Sequence, residues 1–190
     1  MKIMRVSMVF GFALLLAACV AGSPLVVEKK TGFAARPEMD AVFVVPFRTV
    51  MVPAAVADPL FDRFIDELNQ RAATLGDDAF EFIILKEELA RIDPAWLAAR
   101  HYVTGEIFGY IEDSGSRSTD IRIKARLELR QPGPAEPTLM IEYPDGVFFD
   151  HERATLDEKR AELAHRVAAA LAAGLWSALM EEYKPVAAQR

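Results

Sequence analysis

The chain has 190 residues, a hydrophobic fraction of 52% and a formal net charge of −6. The acidic balance argues against a general nucleic-acid-binding protein, because such proteins normally carry a surplus of basic residues. The length allows one domain with a substantial core, and the single cysteine excludes a disulfide within the chain, so the hydrophobic core must stabilise the fold.

Residues 1–18 have the composition of an export signal. A short basic region is followed by an apolar run at residues 8–16, which is shorter than the roughly 20 residues of a membrane span. The segment Leu16-Ala17-Ala18-Cys19 resembles the lipobox of bacterial lipoproteins. The resemblance implies cleavage before Cys19 and acylation of Cys19, with palmitate as a typical acyl chain. A signal peptide cut elsewhere, with an incidental cysteine, is the alternative.

Cleavage would also change the charge and place the protein in the envelope. Residues 1–18 contain Lys2 and Arg5 and no acidic residue, so their removal changes the net charge from −6 to −8. No later segment of spanning length is free of charges, and we expect attachment by lipid alone. Val20 stands where an aspartate would resemble an inner-membrane retention signal. We therefore expect the inner leaflet of the outer membrane, facing the periplasm of a Gram-negative cell.

Residues 19–39 are predicted to be the lipidated cysteine and a flexible tether, because they lack sustained periodicity and contain interrupting prolines. Fully extended, such a tether spans on the order of 60 Å and would hold the body away from the lipid. The alternative is an edge strand at residues 24–29. The folded domain is expected over residues 40–184, and residues 185–190 are expected to be a disordered tail.

The first half of the domain predicts strand, helix, strand and short helix. Residues 41–47 form an apolar run typical of a strand buried on both faces. Asp58-Pro59 predicts the start of a helix that ends near Gly76. Residues 80–85 predict the second strand, and Asp93-Pro94 predicts the start of a short helix.

Residues 102–130 predict a hairpin with a turn at residues 114–116. In residues 102–112 the alternation places Gly105 and Gly109 on one face with Ile107 and Ile111, and these glycines indicate that a helix or another backbone approaches closely. Residues 119–130 alternate between an apolar and a cationic face. That pattern is typical of an antiparallel sheet with one side in solvent.

The cationic face predicts a docking surface for an acidic partner or a glycan. Its members are four cations of the second strand and two aromatic residues of the first: Arg122, Lys124, Arg126, Arg130, Phe108 and Tyr110. The alternative is that the cations only pair across strands with Glu106 and Glu112, at roughly 0.2–1 kcal/mol per pair.

The carboxyl-terminal third predicts more strand and one long helix. Residues 138–150 form a second hairpin or one bent strand around Pro144. Thr155 and Glu158 predict a capping box that begins a helix running to about Tyr183. The small residues 168–174 permit close packing on the sheet or, less readily, on another copy of the chain.

Little in the sequence indicates catalysis. The three histidines are too dispersed for a zinc motif, and there is no nucleophile elbow and no phosphate-binding loop. Asp150-His151-Glu152 is the densest polar cluster and predicts a solvated strand end; a hydrolase site there is the weaker alternative. We expect no enzyme activity, no cofactor and no metal.

The order of elements behind a lipobox resembles the periplasmic domain shared by the TolB amino-terminal domain, the curli-secretion lipoprotein CsgG and penicillin-binding-protein activator lipoproteins. The residues that carry the resemblance are 42–47, 80–85 and 102–107, and it extends from about residue 40 to residue 183. It implies a non-catalytic protein that recruits, activates or assembles other envelope proteins. One good hairpin pair is too little for a membrane pore, which argues against a secretion-channel role.

We therefore expect an α/β (α+β) fold with a single mixed, largely antiparallel sheet and helices packed on it. The expected function is a lipid-anchored accessory lipoprotein of a multiprotein envelope machine. Its expected partners are the membrane, through the lipid, and other envelope proteins, with assembly into homo-oligomers left open and no nucleic acid. The competing hypothesis is a binding module for a small apolar or glycan ligand, expected if Gly105 and Gly109 open space that no helix fills.

Overall fold

The structure, a computed structural model, describes residues 24–33, 41–78 and 81–182. The predicted signal, Cys19, most of the tether and the C-terminal tail lie outside the described residues. Within them are seven strands: β1 (Val26–Lys29), β2 (Ala41–Val44), β3 (Arg48–Thr49), β4 (Glu81–Ile84), β5 (Tyr102–Ser114), β6 (Ser118–Arg130) and β7 (Leu139–Asp150). The α-helices are α1 (Ala54–Ala72), α2 (Pro94–Ala98) and α3 (Leu156–Glu182).

The strands form one sheet in the order β1-β7-β6-β5-β2-β4, and β3 pairs with β5. The ladders from β1 through β7 and β6 to β5 are antiparallel. Strand β2 runs parallel to both β4 and β5. Parallel neighbours require a crossover connection, and helix α1 lies between β2 and β4 in the chain. The predicted α+β class and mixed sheet are confirmed.

The core lies between one face of the sheet and the helices α1 and α3. The inward residues of β6 are buried as the alternation predicted, and Phe64 of α1 and Leu171 of α3 are fully buried opposite them. A Cβ on Gly174 would lie 2.9 Å from Leu25 and 3.3 Å from Ile141. The small residues of α3 therefore pack on the sheet, as predicted.

Among the described residues, helix α3 is long and apolar enough to cross a membrane, with a mean hydropathy of 1.3. In this fold 56% of that stretch is buried. It packs against α1 and against β7, which is the packing of a core helix. Its N-terminus has the predicted capping box: the backbone N–H of Thr155 donates to Glu158 at 2.8 Å, and the Glu158 N–H donates to the Thr155 hydroxyl at 3.3 Å.

The prediction that the first helix begins at Asp58-Pro59 is wrong. Helix α1 begins at Ala54, after Pro53, and contains Pro59. Val56 lies one turn before Leu60, and both are fully buried, so the apolar stripe continues upstream of the proline. Burial of this extra turn outweighs the one backbone hydrogen bond that a proline removes.

The prediction of a tether through residue 39 is wrong for the stretch that forms β1. Residues 26–29 pair antiparallel with residues 139–142 of β7 and form the edge of the sheet, which confirms the edge-strand alternative. Leu25, just before β1, packs against the core. The folded body therefore begins well before residue 40.

Strand β7 is one continuous strand, the second of the two predicted arrangements. It passes through Pro144, which lies beyond the residues that β1 pairs with. At that point the edge of the described sheet is open, and proline is tolerated in such positions. The short helix α2 begins as predicted, because Asp93 accepts a hydrogen bond from the Ala95 N–H at 2.9 Å.

Glu67 is the buried acidic residue of α1, with 8% of its surface exposed. It pairs with Arg71 and Arg63, one turn away on either side, and the hydrogen bond from Arg71 lowers the pKa of its carboxyl. A carboxyl whose pKa is lower in the folded than in the unfolded state stabilises the fold at pH values above its unfolded-state pKa. That stabilisation is lost as the pH falls through the folded-state pKa. We expect the unfolding free energy of the wild type to fall more steeply than that of Glu67→Gln below about pH 4.5. Urea unfolding at several acidic pH values tests this, and parallel pH profiles would contradict it.

Candidate docking surface

The face of the sheet opposite α1 and α3 is called the open face. It carries alternate residues of β5, β6 and β7, and on β6 these include Arg122, Lys124, Arg126 and Arg130. At its β2 end the ring of Phe43 meets Trp96 of α2 edge to face, with ring centroids 5.0 Å apart. The short helix therefore covers only one end of the open face.

A β-bulge in β5 decides which side chains reach the open face. Ile107 pairs with Ala125 and Gly109 pairs with Lys124, so Phe108 is the extra residue. A bulge inserts one residue and reverses the alternation that follows. Beyond it Ile111 lies on the open face and Tyr110 on the core face. The predictions that Ile111 shares the face of Ile107, and that Tyr110 belongs to the docking surface, are therefore wrong.

Tyr110 belongs to a network between the sheet and α3. Its hydroxyl donates to Glu112 at 2.6 Å, and Arg160 of α3 donates to the same carboxylate at 2.9 and 3.0 Å. Burial, together with the hydrogen bond to Glu112, raises the pKa of Tyr110 to about 12. Glu112 therefore ties β5 to α3 and does not pair with the cations of β6, contrary to the cross-strand alternative.

Three of the four cations on β6 pair with other carboxylates. Arg122 pairs with Asp120, Arg126 with Glu142 at 2.6 Å and Arg130 with Glu128 at 3.1 Å. The predicted pairing partner Glu106 instead meets Arg48 of β3 at 3.1 Å. Within the described ranges no carboxylate forms an ion pair with Lys124. Because such partly exposed pairs contribute little to stability, a partner can replace them at low cost.

Three large apolar side chains are exposed on the open face, on the strands β5 and β7 at either side of β6. Phe148 is 68% exposed, Ile111 is 62% exposed and Phe108 is 42% exposed. The register places Ile111 opposite Arg122 and Phe148 opposite Asp120, and the Phe108 ring lies 4.8 Å from the Arg126 guanidinium. We call these residues the apolar-cationic patch: Phe108, Ile111, Arg122, Lys124 and Phe148.

Sequence reasoning missed two members of this patch. Phe148 stood in the apolar run Val147-Phe148-Phe149, and strand alternation alone would have turned it away from the buried Phe149. Ile111 was assigned to the wrong face because of the bulge. Gly109 was the signal that could have revealed the bulge, since an isolated glycine in a strand often marks one.

A groove of about 440 Å³ lies between α2 and the nearby ends of β5 and β6. Four of its five charged lining residues pair among themselves, Arg48 with Glu106 and Arg130 with Glu128, and the fifth, Arg126, pairs with Glu142. A ligand there would have to compete with these ion pairs.

The two glycines of β5 do not open the space that the ligand-binding hypothesis required. A Cβ on Gly105 would lie 2.3 Å from the Phe47 ring, so this side chain fills the space. A Cβ on Gly109 would meet the side chain of Lys124 at 3.4 Å. The close approach predicted at Gly105 comes from a side chain and not from a helix or backbone.

The polar cluster Asp150-His151-Glu152 is exposed at the end of β7 and in the turn that follows, as predicted. The His151 Nε2 atom lies 2.8 Å from the Thr119 hydroxyl. In the described part of the chain no three His, Cys, Asp or Glu residues are placed to share a metal ion. The expectation that the protein is not an enzyme stays a prediction.

No protein-family model and no curated protein matches the sequence. Solved structures that this chain resembles include the PelC dodecamer from Paraburkholderia phytofirmans, at 14% identity and a TM-score of 0.45 over 78% of this chain and 98% of that chain. A hypothetical protein from Chlamydia trachomatis has 12% identity and a TM-score of 0.46 over 74% and 98%. A minor lipoprotein from Acinetobacter baumannii has 9% identity and a TM-score of 0.38 over 75% and 92%. These similarities concern the fold alone.

Proposed function

We propose that the protein is a lipid-anchored, non-enzymatic accessory lipoprotein that docks a component of a multiprotein bacterial envelope machine. Acylation of Cys19 and a place on the periplasmic side of the outer membrane belong to the proposal. The apolar-cationic patch carries it, because this patch leaves three large apolar side chains in solvent on a face that neither α1 nor α3 covers.

Exposed apolar side chains gathered on one face mark interaction sites more often than scattered ones. Aromatic residues and arginine are also enriched at the centres of protein interfaces. The patch combines two phenylalanines and an isoleucine with Arg122 and Lys124. This composition supports a protein partner whose contact segment contains apolar side chains.

The charges of the patch favour an acidic partner segment. Lys124 has no carboxylate partner among the described residues, and Arg122 pairs only with its neighbour Asp120 on the same strand. An acidic segment would supply the carboxylate partner that Lys124 lacks among the described residues. The chain as a whole is acidic and would repel such a segment elsewhere, so recognition is confined to this face.

Crosslinked pull-down of the full lipidated protein from native membranes, with mass spectrometry, tests the proposal. We expect one partner to co-purify in stoichiometric amount with the wild type. Ile111→Asp combined with Lys124→Glu should reduce its capture by about tenfold or more, since interface residues of this kind contribute on the order of 2 kcal/mol. Both side chains are exposed, so the melting temperature should not change.

The matched control is Ile84→Asp combined with Lys86→Glu. These residues are also exposed, the chemical changes are the same, and they lie at the β4 end of the sheet, away from the patch. Capture should be unchanged in the control. Retained capture in the patch variant, or an equal loss in both variants, would refute docking through the patch.

A further inference from the structure

A short connection joins the proposed lipid anchor to the folded body. Leu25 packs against the core beside Gly174, and β1 starts at the next residue. Only residues 20–24 separate Cys19 from Leu25. Six residue steps span at most about 20 Å when fully extended, which is a third of the reach expected for the longer tether.

This connection ends at one edge of the sheet. Strand β1 is the outermost strand at that end, and no described strand pairs with its outer side. The opposite edge is β4, five strand spacings away, which is about 24 Å. The anchor therefore keeps the β1 end within about 20 Å of the lipid, whereas the β4 end is tied to it only through the width of the sheet.

The residues at the β1 edge suit a lipid surface. Val26 is 54% exposed on the side of the open face, and Val27 is 42% exposed on the side of α3. The neighbouring cation Lys29 already pairs with Glu181 at 2.9 Å. Exposed apolar side chains on an edge strand invite pairing with other chains unless something covers them.

We propose that the β1 edge, with its exposed side chains Val26 and Val27, lies against the lipid surface that holds the anchor. The inference rests on the acylation of Cys19 in the proposed function. The contact is intramolecular once the protein is anchored, and a connection this short gives an effective concentration in the millimolar range or above. A weak apolar contact is then enough to keep the edge on the surface.

This orientation makes the docking patch accessible. With the β1 edge on the lipid, the sheet stands upright and the open face points sideways along the membrane. The patch residues lie on β7, β6 and β5, one to three strand spacings from β1, so the patch lies about 5–15 Å above the edge. An acidic, partly apolar segment of another envelope protein could reach it at that height.

Site-specific quenching on vesicles tests the proposed contact. Because the single native cysteine is acylated, an introduced cysteine is the one free thiol for a fluorophore. The lipidated protein would be labelled at Glu28→Cys on β1 or at Glu81→Cys on β4, both exposed positions, and bound to phosphatidylcholine vesicles containing spin-labelled lipid. We expect strong quenching at position 28 and background quenching at position 81.

A second variant separates apolar contact from mere nearness. Val26→Asp, with the label at position 28, should lose at least half of the quenching while the protein still floats with the vesicles. The lipid contact of the β1 edge would be refuted by equal quenching at positions 28 and 81, by background quenching at both, or by no effect of Val26→Asp. Any of these results would leave the proposed acylation of Cys19 standing. A protein that neither carries an acyl chain by mass spectrometry nor floats would overturn the anchor and the inference together.

Discussion

Gly105→Ala is expected to lower the free energy of unfolding by about 1–3 kcal/mol, because the added methyl group would lie 2.3 Å from the Phe47 ring. That ring cannot move aside easily. It packs against the rings of Phe61 and Phe64, with centroids 5.5 and 5.2 Å away. Denaturant unfolding monitored by circular dichroism measures the loss.

Gly109→Ala is the matched control, four residues along the same strand. Its added methyl group would meet Lys124 at 3.4 Å, which is nearly an ordinary contact with a flexible side chain. Alanine also loses less backbone entropy than glycine on folding, so this variant should be as stable as the wild type or up to about 1 kcal/mol more stable. Equal losses at both positions would contradict the role of Phe47.

A double-mutant cycle identifies the cause directly. In the Phe47→Ala background the ring is absent, so Gly105→Ala should have little further effect. The stability changes of two substitutions at residues in contact do not simply add. Here the coupling energy between Phe47→Ala and Gly105→Ala should equal most of the loss in unfolding free energy that Gly105→Ala causes alone. Additive losses would place the strain somewhere other than at the ring.

The strands of the hairpin and the long helix could be predicted because burial follows strict periods in them. Along β6 every second residue from Ile121 to Leu129 is buried, and this alternation was visible in the sequence. The start of α3 was equally visible, since Thr155 and Glu158 satisfy each other within one turn. The sequence pattern alone predicts the secondary structure where the residues that it marks as apolar are also the ones that the tertiary fold buries.

The errors arose where a distant partner decides the structure. The residues of β1, Val-Val-Glu-Lys, do not alternate, and their pairing with β7 far along the chain makes them a strand. The start of α1 depends on the burial of Val56, which outweighs the helix-start signal of Asp58-Pro59. The cations of β6 lie on the face of the sheet that the alternation predicted, whereas the extra residue at Phe108 moved Tyr110 to the core face. A bulge changes the register without changing the composition of a strand.

Phe64→Ala is expected to lower the free energy of unfolding by about 3–5 kcal/mol. Phe64 is fully buried between α1 and the sheet and contacts Phe47. Truncation therefore removes apolar burial and leaves a cavity into which the surrounding structure relaxes only in part. Thermal and urea unfolding should both show the loss, and a change below about 1 kcal/mol would contradict this packing.

Phe148→Ala is the same truncation on the opposite face of the sheet, and it separates folding from function. Because Phe148 is mostly exposed, its removal should change the unfolding free energy by no more than about 0.5 kcal/mol. The same variant should weaken capture of the partner, since an aromatic side chain at an interface often dominates binding. If Phe148→Ala instead destabilised the fold and left capture intact, Phe148 would contribute to stability and the patch would lose one of its three apolar side chains.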